Sequence, residues 1–331
     1  MRAARVLVAA VSLVVAAGCS SGSDSQQLAV IEPAGPAVAT GPTPTPAGTV
    51  RDVGAALTAA QAVPGSETVA LLTATPSRLL LLDPGQGAPR EVVLPVASNT
   101  LAPGTDGHVL VAADGAVLDV DAAAGTVTST PAPGDVVSVA ALPDGGLAAG
   151  LADGTVVGLG PDGPTGTPVT GVASADEVLD VGGTVHVLDR RQTALLQVDL
   201  AEGTVGLGLR AGEGATNAVA DRYGRIVVTD TTRGQLLVFG SDPFLERQQY
   251  PVPGAPYAVA YDPSTDLVWV TLTATNEVVA YQLTGGEPVE RYRLATVARP
   301  DSVAVGPGGT VVVASAAGDG VQLIDPAGGT S

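Results

Sequence analysis

Residues 218–239 read AVADRYGRIVVTDTTRGQLLVF, and this stretch decides the fold. It holds three short apolar runs, 218–220, 225–229 and 236–239, which two polar, glycine-containing turns separate. Short apolar runs of this kind, bounded by turn-forming residues, are typical of antiparallel strands. The stretch therefore predicts three consecutive strands of one small sheet.

The third run recurs along the chain, ending in Asp or a replacement residue. Its seven copies are Leu79–Asp83, Val117–Asp121, Val156–Gly160, Leu195–Asp199, Leu236–Gly240, Val278–Gln282 and Val321–Asp325. Their end points lie 38, 39, 39, 41, 42 and 43 residues apart, and a second apolar strand precedes each copy. A period of about 40 residues with four short strands is typical of a β-propeller blade.

The two ends of the repeat predict how the ring closes. Only six residues follow Asp325, too few for a good fourth strand in the last blade. A spare strand, residues 48–53, precedes the first blade instead. We therefore predict an all-β chain whose residues 48–331 form a seven-bladed β-propeller, with the N-terminal strand completing the last blade. Six blades plus an extra segment is the alternative.

The first 18 residues have the pattern of a bacterial export signal. Arg2 and Arg5 precede the apolar stretch Val6–Ala17, which is too short to span a membrane. The only cysteine of the chain, Cys19, directly follows Ala17 and Gly18. This arrangement resembles the lipobox of bacterial lipoproteins, which implies cleavage before Cys19 and acylation of its thiol. The alternative is an ordinary secretory signal.

Residues 19–47 are rich in Ser, Pro, Thr, Ala and Gly, a composition that cannot bury a core. We predict a disordered linker after the lipidated cysteine. The formal net charge of −18 argues against nucleic acid and against a polybasic contact with anionic lipid. The expected protein is a monomer on the extracytoplasmic face of the cell membrane, held only by its lipid anchor.

Two of the repeats resemble known propeller families. Residues 218–239 resemble the NHL repeat, and residues 256–278, with the motif PYAVAYDP followed by LVWVT, resemble the YVTN repeat of YncE-like proteins. The last blade is similar through residues 299–305. The resemblance is good over residues 215–325 and faint in the first three blades. It implies a propeller used for binding, although some related propellers are metal-dependent lactonases or lyases.

Sequence motifs for catalysis are absent. The only histidines, His108 and His186, are not spaced as metal ligands, and each is expected to be structural. The chain has no Gly-x-Ser-x-Gly elbow, phosphate loop or dinucleotide-binding fingerprint. We therefore expect a protein that is not an enzyme and needs no cofactor.

Antiparallel geometry divides the connections of each blade between two faces. If the strands are named a to d from the axis outwards, the a–b and c–d turns share one face. The b–c and d–a loops share the other, which carries the longer polar loops. The candidate ligand-binding residues on this b–c/d–a face are Arg190, Arg191, Asn217, Asp230, Arg233, Tyr257, Asn276, Arg299 and Asp301.

The arginines on neighbouring blades could together bind a carboxylate or an anionic glycan. The alternative is local pairing with Asp189, Asp230 and Asp301. The sequence thus favours a binding or scaffold propeller with a protein, peptide or glycan partner in the cell envelope. The second functional hypothesis is a calcium-dependent lactonase or lyase. Asn217 and Asp230 resemble a lactonase metal pair, but Glu67 falls in an a–b turn on the opposite face.

Overall fold

A computed structural model describes residues 29–85 and 87–327, without the side chain of Pro307. Its strands form seven four-stranded antiparallel sheets. The first strand of each sheet contacts the first strand of the next, and blade 7 contacts blade 1, so the sheets form a ring. The chain is therefore a seven-bladed β-propeller.

The first three blades follow the predicted register. The closing strand β1 spans Thr49–Arg51. Blade 1 consists of β2 (Leu57–Ala62), β3 (Val69–Thr73), β4 (Leu79–Leu82) and β5 (Arg90–Val92). Blade 2 consists of β6 (Ser98–Pro103), β7 (His108–Ala113), β8 (Ala116–Asp121) and β9 (Val127–Pro131). Blade 3 consists of β10 (Val136–Ala141), β11 (Leu147–Leu151), β12 (Val156–Gly160) and β13 (Gly163–Val169).

The outer strands of the next three blades have seven or eight residues. Blade 4 consists of β14 (Glu177–Val181), β15 (Thr184–Asp189), β16 (Ala194–Asp199) and β17 (Thr204–Arg210). Blade 5 consists of β18 (Ala215–Ala220), β19 (Arg225–Asp230), β20 (Gln235–Ser241) and β21 (Phe244–Pro251). Blade 6 consists of β22 (Pro256–Asp262), β23 (Leu267–Leu272), β24 (Glu277–Gln282) and β25 (Val289–Ala295).

Blade 7 closes the ring with strands from both ends of the chain. It contains β26 (Pro300–Val305), a short 3₁₀ helix (Pro307–Gly309), β27 (Val311–Ser315) and β28 (Val321–Ile324), and β1 is its outer strand. The register of the closing pair places Thr49 opposite Leu323. Gly48 has a positive φ of 68°, and a Cβ there would overlap the Leu323 carbonyl. The predicted closure is confirmed, and the six-bladed alternative is wrong.

The core lies between neighbouring blades. Each apolar cluster combines side chains from facing surfaces of adjacent sheets, as where Val227 of blade 5 packs with Val268 of blade 6. The clusters consist mostly of Val, Leu and Ala. Trp269 and Phe239 are the largest fully buried side chains among the described residues. The ring is therefore held by many small interfaces.

Residues 29–47, here called the N-terminal segment, lie along the b–c/d–a face of blades 4 to 7. The Ile31 amide donates to the Arg191 carbonyl (2.8 Å), the Ala37 amide to Thr273 Oγ1 (2.9 Å), and the Ala47 amide to the Ala295 carbonyl (3.0 Å). Composition predicts a disordered linker over residues 19–47, and in the described part of it these three amides are hydrogen-bonded to the propeller.

The predicted signal peptide and the lipidation site Cys19 lie outside the described residues. Within the described part of the chain, no helix combines the length and the hydropathy that a membrane span requires.

Candidate functional site

Asp230 is a buried anchor for the loops of blade 5. Its carboxylate accepts hydrogen bonds from the amides of Glu213 (2.9 Å), Gly214 (3.0 Å) and Arg233 (3.0 Å), and from Gln235 Nε2 (3.0 Å). Its position at the end of strand β19 lets it reach both the d–a loop before β18 and its own b–c loop. The carboxylate therefore holds these loops together and has little capacity left for a ligand.

Asp189 occupies the equivalent position in blade 4. It accepts from the Ala173 amide (2.7 Å), Ser174 Oγ (2.9 Å) and the Gln192 amide (2.8 Å). The recurrence of one pattern in two blades indicates a structural device of the repeat.

Asn217 joins the inner strands of blades 5 and 6. Its Nδ2 donates to the Tyr257 carbonyl (3.0 Å), which also accepts from Thr229 Oγ1 (2.6 Å). Comparable bridges between neighbouring inner strands or the loops before them are Asn99 to Val136, Ser138 to Ala175, Ala218 to Glu177 and Ala60 to Ser302. Asn217 therefore belongs to a partial ring of polar bridges around the axis. Because the Asp230 carboxylate already accepts four hydrogen bonds, the pair of Asn217 and Asp230 does not fit a calcium site.

Three of the candidate arginines each have a local partner. Arg190 Nη2 donates to the Ala34 carbonyl of the N-terminal segment (2.5 Å), and Arg191 Nη1 to the Ala173 carbonyl (3.3 Å). Arg233 pairs with Glu213 at 3.0 Å, with both side chains about half exposed. Local pairing is the alternative to anion binding that the sequence leaves open. Arg233 is paired locally, but with Glu213 and not with Asp230.

The remaining candidates meet between blades 6 and 7. Arg299 Nη2 pairs with Asp301 at 2.6 Å, and the Arg299 amide donates to Asn276 Oδ1 at 3.2 Å. Asn276 is 3% exposed and has a positive φ of 52°. Asn has a short side chain that tolerates this backbone region and bonds locally. Tyr257 is partly buried against the core between these blades.

Sequence reasoning missed Glu177, the first residue of the inner strand of blade 4. Its Oε2 accepts the Ala218 amide of blade 5 at 2.7 Å. Burial, opposed by that hydrogen bond and by the charge of Arg190, raises the pKa of Glu177 to about 7. A carboxyl group with this pKa can give or take a proton near neutral pH. The sequence indicates Glu177 by an acid at the position of blade 4 that is equivalent to Asn217 in blade 5.

Neither histidine lies on the b–c/d–a face. His108 Nδ1 lies 2.8 Å from Asp119 Oδ1 near the a–b turn of blade 2. His186 is buried, and its ring meets Phe244 edge-on with 5.3 Å between centroids. Across residues 29–85 and 87–327, no three His, Cys, Asp or Glu side chains are grouped closely enough to hold a metal ion.

Solved structures similar to this chain share its fold. A streptogramin B lyase aligns with a TM-score of 0.68 and 14% identity, covering 82% of this chain and 93% of the lyase. A catalytically inactive histidine-to-alanine variant of virginiamycin B lyase from Staphylococcus aureus, with quinupristin, aligns with a TM-score of 0.69 and 11% identity. That alignment covers 83% of this chain and 97% of the lyase.

Hydrazine synthase from Kuenenia stuttgartiensis is equally similar, with a TM-score of 0.68 and 14% identity over 84% of this chain and 97% of that one. No family model and no curated protein matches the chain. The NHL and YVTN resemblance therefore stays a prediction. At these identities the likeness concerns architecture alone, and the chain is a seven-bladed β-propeller similar in fold to the streptogramin B lyases.

Proposed function

We propose that the protein is a non-enzymatic binding propeller, anchored by a lipid at the extracytoplasmic face of the cell membrane. The observation that carries the proposal is the way the b–c/d–a face holds the N-terminal segment. That face binds an extended, Pro- and Ala-rich stretch through main-chain amides and carbonyls, as at Ile31 and Ala34. A surface that holds one extended polypeptide in this way is suited to hold others.

The anchor determines which face is near the membrane. Ile31 lies twelve residues after Cys19, and a fully extended chain of this length spans about 40 Å. Ile31 lies against Arg191 on the b–c/d–a face. Lipidation of Cys19 would therefore hold that face within about 40 Å of the bilayer. A protein partner in the cell envelope would meet the propeller in this space.

Replacing the cysteine tests the anchor. In the native host, Cys19→Ser should leave the protein unprocessed or release it from the membrane, and should abolish labelling with a palmitate analogue. Wild-type chain should partition into the detergent phase. Membrane association and labelling of the variant equal to wild type would contradict the anchor.

Site-directed crosslinking tests the binding function. A photoreactive amino acid would replace Arg233, which is half exposed on the b–c/d–a face, or Ala124, which is exposed in a c–d turn of blade 2. We expect discrete adducts with an envelope protein from position 233 and none from position 124. An absence of adducts from position 233, or adducts with glycan only, would contradict a protein partner at this face.

Glu177 favours a second candidate function, that of a hydrolase or lyase acting at the channel end of the b–c/d–a face. Its pKa of about 7 suits a general acid or base. The fold likeness to a streptogramin B lyase points to the same class. We assign no metal-binding role to Asp230 in this candidate, because its carboxylate already accepts four hydrogen bonds.

Turnover measurements separate the two candidates. The full chain would be incubated with cyclic lactones and with a streptogramin B substrate, with and without added calcium. A lyase predicts turnover by wild type and a loss of at least about 100-fold in Glu177→Gln, the contribution typical of a general acid or base. No turnover by wild type would exclude the second candidate and leave the binding function in place.

A further inference from the structure

A cavity of about 590 Å³ lies between blades 5 and 6 on the a–b/c–d face. Its walls come from the a–b turn after β18, from β19 to β21, and from the c–d turn of blade 6. This face is opposite to the one that carries the N-terminal segment. The polar side chains that matter for the cavity are Tyr223, Arg225, Asp242, Arg247 and Gln248.

Arg225 lines this cavity and carries an unsatisfied donor on its guanidinium group. Its Nε donates to Asp221 (2.5 Å) and its Nη1 to the Leu283 carbonyl (3.0 Å), which fixes the plane of the guanidinium. Its Nη2 is buried and has no hydrogen-bond partner within the described chain. A buried donor without an acceptor is costly, above all on a charged group. The geometry therefore points to an acceptor supplied from outside.

Arg247 brings a second cation to the same wall. Each other arginine between residues 29 and 327 has a side-chain hydrogen bond or an ion pair, whereas Arg247 has neither. Its guanidinium lies over Gly240 of strand β20, where a Cβ would overlap it. Gly240 is directly opposite Arg225 in the sheet register. The missing side chain at position 240 thus lets the two guanidinium groups share one side of blade 5.

Gln248 adds an unsatisfied acceptor. Its Nε2 donates to the Gly286 carbonyl, and because a carbonyl only accepts, this bond fixes which end of the amide is which. The Oε1 atom is buried and has no donor within the described chain. Among the described residues, the cavity is therefore lined by one unpaired cation (Arg247), by a second guanidinium that is paired with Asp221 but keeps a free donor (Arg225), and by one neutral acceptor. The carboxylate of Asp242 on its wall disfavours ligands with more than one negative charge.

We propose that this cavity binds a monocarboxylate whose neighbouring atom carries an N–H or O–H group. Arg225 and Arg247 would hold the carboxylate, since guanidinium groups match its two oxygens. Gln248 Oε1 would accept from the adjacent donor. An N-acylated amino acid, as at a peptide C-terminus, and a sugar acid share this chemistry. The proposal goes beyond the binding function above and does not depend on it, because it concerns the opposite face.

Calorimetric titration of the full chain in detergent tests the site. The probes are N-acetylalanine and glucuronate, with N-acetylalanine amide and inorganic phosphate as controls. We expect roughly millimolar binding of at least one carboxylate, as suits so small a ligand. The amide and phosphate should bind about tenfold more weakly or not at all. The preferred carboxylate distinguishes a peptide end from a sugar acid.

Variants locate the binding. Arg247→Gln should weaken binding of the preferred carboxylate about tenfold, since it removes a charged hydrogen bond. Gly240→Ala should do the same by displacing the guanidinium. Arg210→Gln removes the same charge from an exposed outer strand of blade 4 and should bind like wild type. Thermal melting checks that all three variants fold.

Three results would overturn the proposal. The first is that neither carboxylate binds at tens of millimolar, roughly ten times the expected dissociation constant. The second is that Arg247→Gln binds the preferred carboxylate as well as wild type does. The third is that N-acetylalanine amide binds as well as N-acetylalanine. The crosslinking experiment at position 233 reads the other face, so either proposal can fail while the other stands.

Discussion

At the scale of single residues, the polar groups at the strand ends of the b–c/d–a face serve mainly to hold loops. Asp230→Ala would leave four donors without their acceptor, and at least the Gly214 amide is buried. We expect a loss of about 3 kcal/mol in the free energy of unfolding. Denaturant unfolding and the melting temperature would measure it.

Asp199→Ala is the matched control for that substitution. Asp199 is exposed in a c–d turn of blade 4 and accepts two backbone amides there, from Ala201 and Glu202. Water can replace its carboxylate, so the expected loss is below about 1 kcal/mol. Equal losses in the two variants would show that burial of Asp230 does not matter.

Glu177 gives the stability of the fold a distinct pH dependence. Burial raises its pKa from 4.5 to about 7, so the folded chain binds this proton more tightly than the unfolded chain. This contribution is fully present below pH 4.5 and is lost as the pH rises to 7. The melting temperature of Glu177→Gln should therefore exceed that of wild type at pH 8, with the difference shrinking towards pH 5.

Glu202→Gln is the control for charge alone, because Glu202 is exposed in a turn. Its melting temperature should stay parallel to that of wild type from pH 5 to pH 8. A parallel course for Glu177→Gln would contradict the role of burial at Glu177.

The positions of single residues were predictable from the sequence, but their partners were not. Counting along the repeat places Arg233 and Asp230 in one b–c loop; the structure has Arg233 in that loop and Asp230 just before it, as the last residue of β19. The partner of Arg233, Glu213, lies in the loop before β18. The sequence period does not predict which of several acids lies nearest to the arginine. Cavities such as the one beside Arg247 depend on the packing of two blades, which a strand pattern does not describe.

At the scale of elements, we expect the closing strand β1 to stabilise the folded ring by pairing with β28. A chain beginning at residue 48 keeps β1 but lacks the N-terminal segment, and one beginning at residue 57 lacks both. We expect the second truncation to melt well below the first, because it leaves an unpaired edge on β28 and removes the contact of Arg51 with the Pro84 carbonyl.

Differential scanning fluorimetry of these two chains and of one beginning at residue 29 separates the effects. The step from 29 to 48 measures the N-terminal segment, and the step from 48 to 57 measures closure. If the second step leaves the melting temperature unchanged, β1 does not stabilise the ring.

Elements were predictable where a period existed. The third strands of all seven blades lie within two residues of the expected bounds, because apolar runs and glycine turns repeat at almost constant spacing. The N-terminal segment has no such period, and its composition predicts disorder. Its contacts use main-chain groups, as at Ala34 and Ala47, and these carry no side-chain signal.

At the scale of the whole molecule, charge opposes compactness. The chain has 33 acidic and 15 basic residues, for a formal net charge of −18 at pH 7. Repulsion among so many like charges destabilises the folded state, and salt screens it over a Debye length of about 8 Å at physiological ionic strength. Raising sodium chloride from low to physiological concentration should therefore raise the melting temperature.

Sodium sulfate at matched ionic strength and a neutral osmolyte are the controls for that measurement. Screening depends on ionic strength, so both salts should act alike below about 0.2 M, while an osmolyte at equal osmolarity should not reproduce the effect. A melting temperature that does not change with salt would show that repulsion is already balanced by local ion pairs such as that of Arg293 with Glu290.

The pairing of β1 with β28 also affects the order in which the ring can be completed during synthesis. Thr49 is translated about 270 residues before its partner Leu323. At a translation rate of roughly 5–20 residues per second, some tens of seconds pass between the synthesis of β1 and that of β28. The strands of the first six blades can pair without β28, but blade 7 cannot be completed without it, so a chain truncated before β28 leaves an open ring with a free edge.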